Sequence, residues 1–181
     1  MELKQASGLL GNEVLGNSIL SILNGMEFSR SRALKILAEN GITEIQGDVW
    51  YPLPKVLQAY HRVFEKVGPS TMRAVGRKIP ENANLPPDID TLEKALGSLD
   101  VAYRMNHRGP GDMGGYHYQP VAPRHVRLVC DSPYPCDVDL GILEAFGDKF
   151  RPKDSIRVRI EHDTRTCRLR GDGACTYDIT W

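Results

Sequence analysis

In the N-terminal part of the chain the apolar positions recur at helical intervals, and in the C-terminal part they alternate. Leu9, Leu10, Val14, Leu15, Ile19, Leu20, Ile22 and Leu23 form a broad stripe that predicts a helix over residues 8–26. Gly11 and Gly16 weaken it by up to ~1 kcal/mol each relative to Ala, and their missing side chains permit close helix contact or the approach of a partner. Ser29 is placed to cap a second helix over residues 30–40, ended by Gly41. Pro52 and Pro54 introduce a third over residues 53–67, with Val56, Leu57, Tyr60, Phe64 and Val67 on one face. Gly68-Pro69 breaks it, and a short helix over residues 70–78 follows. Residues 80–87 read as a polar, Pro-rich loop. Asp90 or Thr91 then starts a helix running to Leu99 or beyond.

After that the period changes. Tyr116 to Tyr118, His125 to Val129, Ile156 to Ile160 and Thr176 to Trp181 alternate as strands, with one helix at residues 139–147 stopped before Pro152. Residues 108–115 form a glycine-rich loop whose length suits a lid or a hairpin arm. Helices followed by strands with one inserted helix make an α+β domain: N-terminal helices packed on a C-terminal antiparallel sheet. At 181 residues the chain suits one domain spanning 1–181, mainly helical over 1–106 and strand-rich over 107–181.

Composition narrows the function classes. Lys and Arg number 23, Asp and Glu also 23, so no net charge favours nucleic acid. No apolar run approaches the ~20 residues that span a bilayer. Met1 to Gln5 lacks the features of a signal peptide, so a cytoplasmic location is expected. In that compartment four Cys are thiols or metal ligands more often than disulfides.

The densest chemistry lies at Cys167-Arg-Leu-Arg-Gly-Asp-Gly-Ala-Cys175, where a Gly171-Asp172-Gly173 turn doubles the chain back and brings two thiols to one side. Glu161, His162 and Asp163 precede it, and Cys130 and Cys136 lie upstream around Ser132-Pro-Tyr-Pro135. His61 sits mid-helix among apolar neighbours and reads as a satisfied structural histidine. His107 and His117 flank the glycine-rich loop and are expected at the surface, with a position facing a pocket as the alternative; His125 beside Arg124 and Arg127 is expected on a solvated face. Tyr116, Tyr118 and Tyr134 read first as ordinary strand packing, with a cavity wall as the alternative. No catalytic triad order, nucleophile elbow, Walker loop or dinucleotide fingerprint is present.

Residues 85–162 resemble the second half of the haem nitric-oxide/oxygen-binding (H-NOX) domain. The place of that family's Tyr-x-Ser-x-Arg motif is taken by Cys130-Asp-Ser132-Pro-Tyr134, where only the Ser matches. The helix starting at Leu92 corresponds to the one bearing the family's haem-ligating His, and it contains no His. The tail is similar to the four-vinyl-reductase-type domain of aromatic-sensing bacterial regulators, through Cys167 to Cys175. Both families share one α+β fold with the TRAPP vesicle-tethering subunits. The resemblance implies an H-NOX/TRAPP-like fold without haem, and a structural zinc ion held, as in those regulators, by the two tail Cys, an earlier Cys and an acidic residue.

The expected zinc set is Cys136, His162, Cys167 and Cys175, with Cys130, Glu161 and Asp163 as substitutes. Buried free thiols, a disulfide or redox-active thiols are the competing readings. Three functions remain open at this level. The first is a non-enzymatic sensory module, holding a small apolar ligand between the helices of residues 9–23 and 53–67 and the sheet. Such a module signals through a protein partner or a homodimer. The second is a protein-interaction module that uses the N-terminal helical face. The third is a thiol-dependent enzyme, for which Arg165, Arg168 and Arg170 near Cys167 are the only hint. The balance leans away from an enzyme.

Overall fold

The computed structural model describes residues 8–181. Met1 to Gln5, read above for a signal peptide, lie outside the described residues. The element order is β1 (Glu13–Leu15), α1 (Gly16–Gly25), α2 (Arg30–Glu39), β2 (Trp50–Pro52), α3 (Leu53–Val67), α4 (Pro69–Asn82), α5 (Leu92–Gly97), α6 (Leu99–Met105), β3 (His107–Arg108), β4 (Tyr116–Ala122), β5 (His125–Cys130), α7 (Cys136–Phe150), β6 (Arg159–His162) and β7 (Cys175–Thr180). Two antiparallel sheets result, β2-β1-β3 and β4-β5-β7-β6. The α+β architecture expected from the change of period is the one observed.

Helix α3 covers the residues its stripe predicts. Of the face expected, Val56, Leu57 and Tyr60 are buried and Phe64 and Val67 only half-buried, while Leu53 and Val63 complete the buried side; Gly68 ends the helix at φ +81°, a conformation open to glycine at little cost. Thr91 caps α5 by accepting from the Lys94 amide at 3.2 Å. Ser29 stands before α2 but makes no side-chain cap.

The first stripe is not one helix. Glu13 to Leu15 form β1, which pairs with Trp50 to Pro52 on one side and with His107 and Arg108 on the other. Only from Gly16 onward is the chain helical. An apolar run that is buried on all sides satisfies a strand as well as a helix, and these long-range ladders decide between them. Two further boundaries move. Helix α4 continues to Asn82 with Pro80 inside it, and the strand expected at residues 156–160 begins at Arg159, leaving Ile156 95% exposed.

Glycines set how closely the helices approach. A Cβ on Gly76 of α4 would lie 2.1 Å from the Val138 carbonyl of α7, and one on Gly141 of α7 would lie 2.1 Å from the Arg73 carbonyl of α4. The two helices therefore meet backbone to backbone. The loop at residues 108–115 is tied down rather than free. The Asn12 side chain donates to the Gly111 carbonyl at 3.1 Å and accepts from the Gly111 amide at 2.8 Å, and the strands that the loop connects, β3 and β4, belong to different sheets. Among the described residues no helix is long and apolar enough to cross a membrane.

Candidate functional site

The turn after β6 and the start of α7 bring thiols together. Cys136 opens α7, Cys167 precedes a single 3-10 turn at Arg168–Arg170, and His162 ends β6. Gly171 adopts φ +93° to reverse the chain, and the Asp172 carboxylate accepts from the Cys167 amide at 2.7 Å. Potential ligand atoms of Cys136, His162 and Cys167 all lie within 4.8 Å of one another, with the two sulfurs 3.7 Å apart. His162 stacks on Tyr177 at 4.8 Å between ring centroids, and its Nε2 is buried with no hydrogen-bond partner. Two thiols and an orphaned imidazole nitrogen at this spacing could hold a metal ion.

Cys175 stands beside this trio but outside it. Its sulfur accepts from the Arg168 amide at 3.3 Å and from Arg168 Nε at 3.5 Å. The neighbouring Cys136 thiol and these Arg168 donors lower the pKa of the Cys175 thiol, while the same neighbour and burial raise that of Cys136. All four cysteines are free thiols. Cys130, across from Cys175 in the β5–β7 ladder, is buried and donates to Ser132 Oγ at 3.5 Å, and burial raises its pKa. Glu161 pairs with Arg159 and Asp163 with Arg165, both outside the trio.

Arg168 joins this cluster to the core. Its guanidinium donates to the Ser132 carbonyl and to the Ser132 hydroxyl, the latter at 2.9 Å, and forms an ion pair with Asp139. Asp139 has no exposure and also accepts from Tyr116 at 2.8 Å and from Tyr177 at 3.3 Å. Three donors around one buried carboxylate are what keeps a charge there tolerable. The sequence reading noticed Arg168 only as a positive charge near Cys167. Asp139, 29 positions away, was read as part of a helix, and nothing local marks it as a partner.

Tyr116 leads on to a cavity of about 60 Å³. Its wall comes mostly from α4, α6 and α7, with Tyr60 of α3 and Ser18 of α1 at one side. The expected position, between residues 9–23 and 53–67 and the sheet, is therefore met only at Ser18, Tyr60 and Tyr116. Of the first stripe, Leu9, Val14, Leu15, Ile19, Ile22 and Leu23 are buried core, Leu20 is half-buried and Leu10 is exposed. Only Ile79, Ala83 and Leu85 among the wall residues are half-buried rather than buried, so the mouth lies at the end of α4.

His107 is on this wall, buried, not at the surface as expected. Its Nδ1 lies 2.8 Å from the Tyr103 carbonyl, an acceptor, so Nδ1 carries the proton. Nε2 then accepts from the Tyr134 hydroxyl at 2.7 Å. Burial lowers its pKa to about 4, against a small opposing pull from the Tyr103 carbonyl. Tyr116 and Tyr134 take the cavity-wall alternative left open above, and Tyr118 does not. His117 is exposed beside Asp131 at 3.1 Å, and His125 is half-buried against Asp178 at 2.9 Å. His61 departs from its expected role: its Nε2 is buried with no partner. It borders an open groove of about 820 Å³ between α3 and the Asp131–Cys136 and Arg168–Gly173 segments.

The backbone as a whole superposes on solved H-NOX structures. A structure of an H-NOX protein from S. oneidensis in the Fe(II)NO ligation state matches at a TM-score of 0.65 and 17% identity, covering 90% of this chain and 97% of that one. An Fe(II) unliganded H-NOX protein from K. algicida matches at 0.64 and 11%, covering 92% and 95%. The chain has an H-NOX-like fold. At these identities the likeness concerns the fold alone. No protein-family model matches the chain, and no curated protein matches it by sequence.

Proposed function

We propose that this H-NOX-like chain is a non-enzymatic sensory module of bacterial-regulator type. It holds a small apolar ligand in the cavity, carries a structural zinc ion at Cys136, His162, Cys167 and Cys175, and signals through a protein partner or a second copy of itself. It acts as one cytoplasmic domain. The observation that carries this reading is the apolar cavity enclosed between α4, α6 and α7, in a fold whose S. oneidensis relative is described in an Fe(II)NO ligation state.

A haem does not fit these side chains as they stand. Pockets for drug-sized ligands run to about 300–1,000 Å³, and this cavity is about 60 Å³. His107, the one histidine on its wall, has both ring nitrogens engaged, and α5 and α6 contain no other. Axial ligation needs a free nitrogen or sulfur. In this cavity, therefore, the proposed ligand is held by protein side chains.

Zinc is supported by the trio's spacing and by the orphaned His162 nitrogen, with Cys175 beside them as the third sulfur. The enzyme reading loses ground because Cys175, the thiol with the lowered pKa, is fully buried. A reactive thiol needs both a low pKa and access. The interaction-module reading loses ground because Leu9, Val14, Leu15, Ile19, Ile22 and Leu23 of the stripe are buried.

Elemental analysis of protein purified without added metal tests the metal half. About one zinc per chain is expected, leaving as pH falls because the ligands must stay deprotonated. Cys136→Ser and Cys167→Ser are expected to abolish retention, and Cys130→Ser to leave it intact. Metal-free protein with a Cys136–Cys167 disulfide would replace the zinc reading. Haem titration tests the other half. A sharp, stoichiometric Soret band lost in His107→Ala would overturn it.

A further inference from the structure

The cavity is small and, Ser18 Oγ apart, its polar side chains are already occupied, which narrows the ligand beyond the sensory reading on which this step rests. We propose that the site takes one apolar molecule of about two or three heavy atoms, such as a short hydrocarbon, held directly by protein side chains. An engineered 150 Å³ apolar cavity accepts benzene, so one of about 60 Å³ has room, by proportion, for about two or three heavy atoms.

The wall decides polarity. Tyr103 donates to the Met113 carbonyl at 2.9 Å, Tyr60 to the Ser18 carbonyl at 3.2 Å and Tyr134 to His107. Tyr116 donates to Asp139, and Asn106 donates to the carbonyls of Ala102 and Asn84. These donors are spent within the protein. A ligand with an acceptor atom finds none of them free, and a water molecule, which needs two to four polar partners, is poorly served. What remains facing the space is aliphatic and aromatic: Leu99, Ala102, Val138, Ile142 and Phe146. Dispersion with these side chains is the available binding term, and it favours a molecule that fills the space without clash. The half-buried mouth at Ile79, Ala83 and Leu85 gives access without unfolding the core.

Xenon, propane and benzene are the probes, with methanol as a polar molecule of the same size as the proposed ligand. Xenon and propane are titrated into the full chain, watched by xenon chemical shift and by the methyl resonances of Val138 and Ile142. Saturable binding of both is expected, with none of benzene or methanol. Ala102→Leu places three further carbons in the space and is expected to abolish binding without lowering the melting temperature. Should that variant fail to fold, Ala83→Leu at the mouth serves, with xenon exchange expected to slow several-fold. Binding of methanol as tight as that of propane, or xenon binding unchanged in both variants, overturns the proposal. If benzene raises the melting temperature while xenon does not bind, the size class is wrong and the sensory reading stands. If no apolar probe binds, both fall.

Discussion

His107 shows how a single side chain acquires a property that its neighbours in sequence do not announce. Burial holds it neutral against the pull of the Tyr103 carbonyl, with a folded pKa near 4 against about 6.5 in an unfolded chain. The unfolded state therefore binds more protons between these values. The contribution is fully present above pH 6.5 and is lost as pH falls towards 4. The shift corresponds to roughly 3 kcal/mol. Denaturant unfolding at pH 7.5, 6 and 4.5 is expected to show that loss in the wild type and a flatter profile in His107→Asn. Arg168 and Asp139 provide the second case. Removing one member leaves the other charged and buried, which typically costs 3–5 kcal/mol. Arg168→Met is therefore expected to lower stability by about 4 kcal/mol, and the double variant Arg168→Met with Asp139→Asn to recover part of it. A double-mutant cycle in urea measures the coupling, and additive losses would show that the pair is not a unit.

At the scale of elements, the contact between α4 and α7 depends on residues without side chains. In isolation Gly141→Ala should favour a helix by about 1 kcal/mol. Here the added methyl meets the Arg73 carbonyl at 2.1 Å. Overpacking of this kind costs about 1–3 kcal/mol, and backbone cannot swing aside as a flexible side chain can. The clash is expected to win, with a net loss of about 2 kcal/mol. Gly173→Ala is the control. Nothing lies within 4 Å of its added methyl, and a change within about 0.5 kcal/mol is expected. Thermal melts of both variants decide the matter; equal effects would mean that helix approach is not set by the glycines. The small sheet illustrates the same dependence. Strand β1 has three residues and exists because β2 and β3 flank it.

For the molecule as a whole, that sheet joins the helical and strand-rich parts. Val14 pairs with Tyr51 and with His107, and α4 of the first part packs on α7 of the second. A fragment of residues 1–106 would expose the α4 face that meets α7 and would lose one side of β1. It is expected to lack a cooperative thermal transition by circular dichroism, whereas the full chain shows one. A cooperative melt of that fragment would divide the chain into two domains.

What the sequence determined by itself is whatever rests on local period and local backbone chemistry. The bounds of α3, the change from helical to alternating period along the chain and the reversal at Gly171 follow from spacing and local backbone chemistry. The link from that turn to Cys136 and His162 was legible as a cluster of ligand-type residues, of which the structure brings Cys136, His162 and Cys167 together and leaves Cys175 beside them. Tertiary structure decided the rest, because the deciding partners are distant along the chain. It drew Val14 and Leu15 out of a helical stripe into a ladder, and buried His107 against Tyr134, 27 positions away. It paired Arg168 with Asp139 across 29 positions. It also set the volume of the cavity, which depends on how closely glycine lets α4 and α7 approach. Periodicity says which face of an element is apolar; only packing says how much space is left between two such faces.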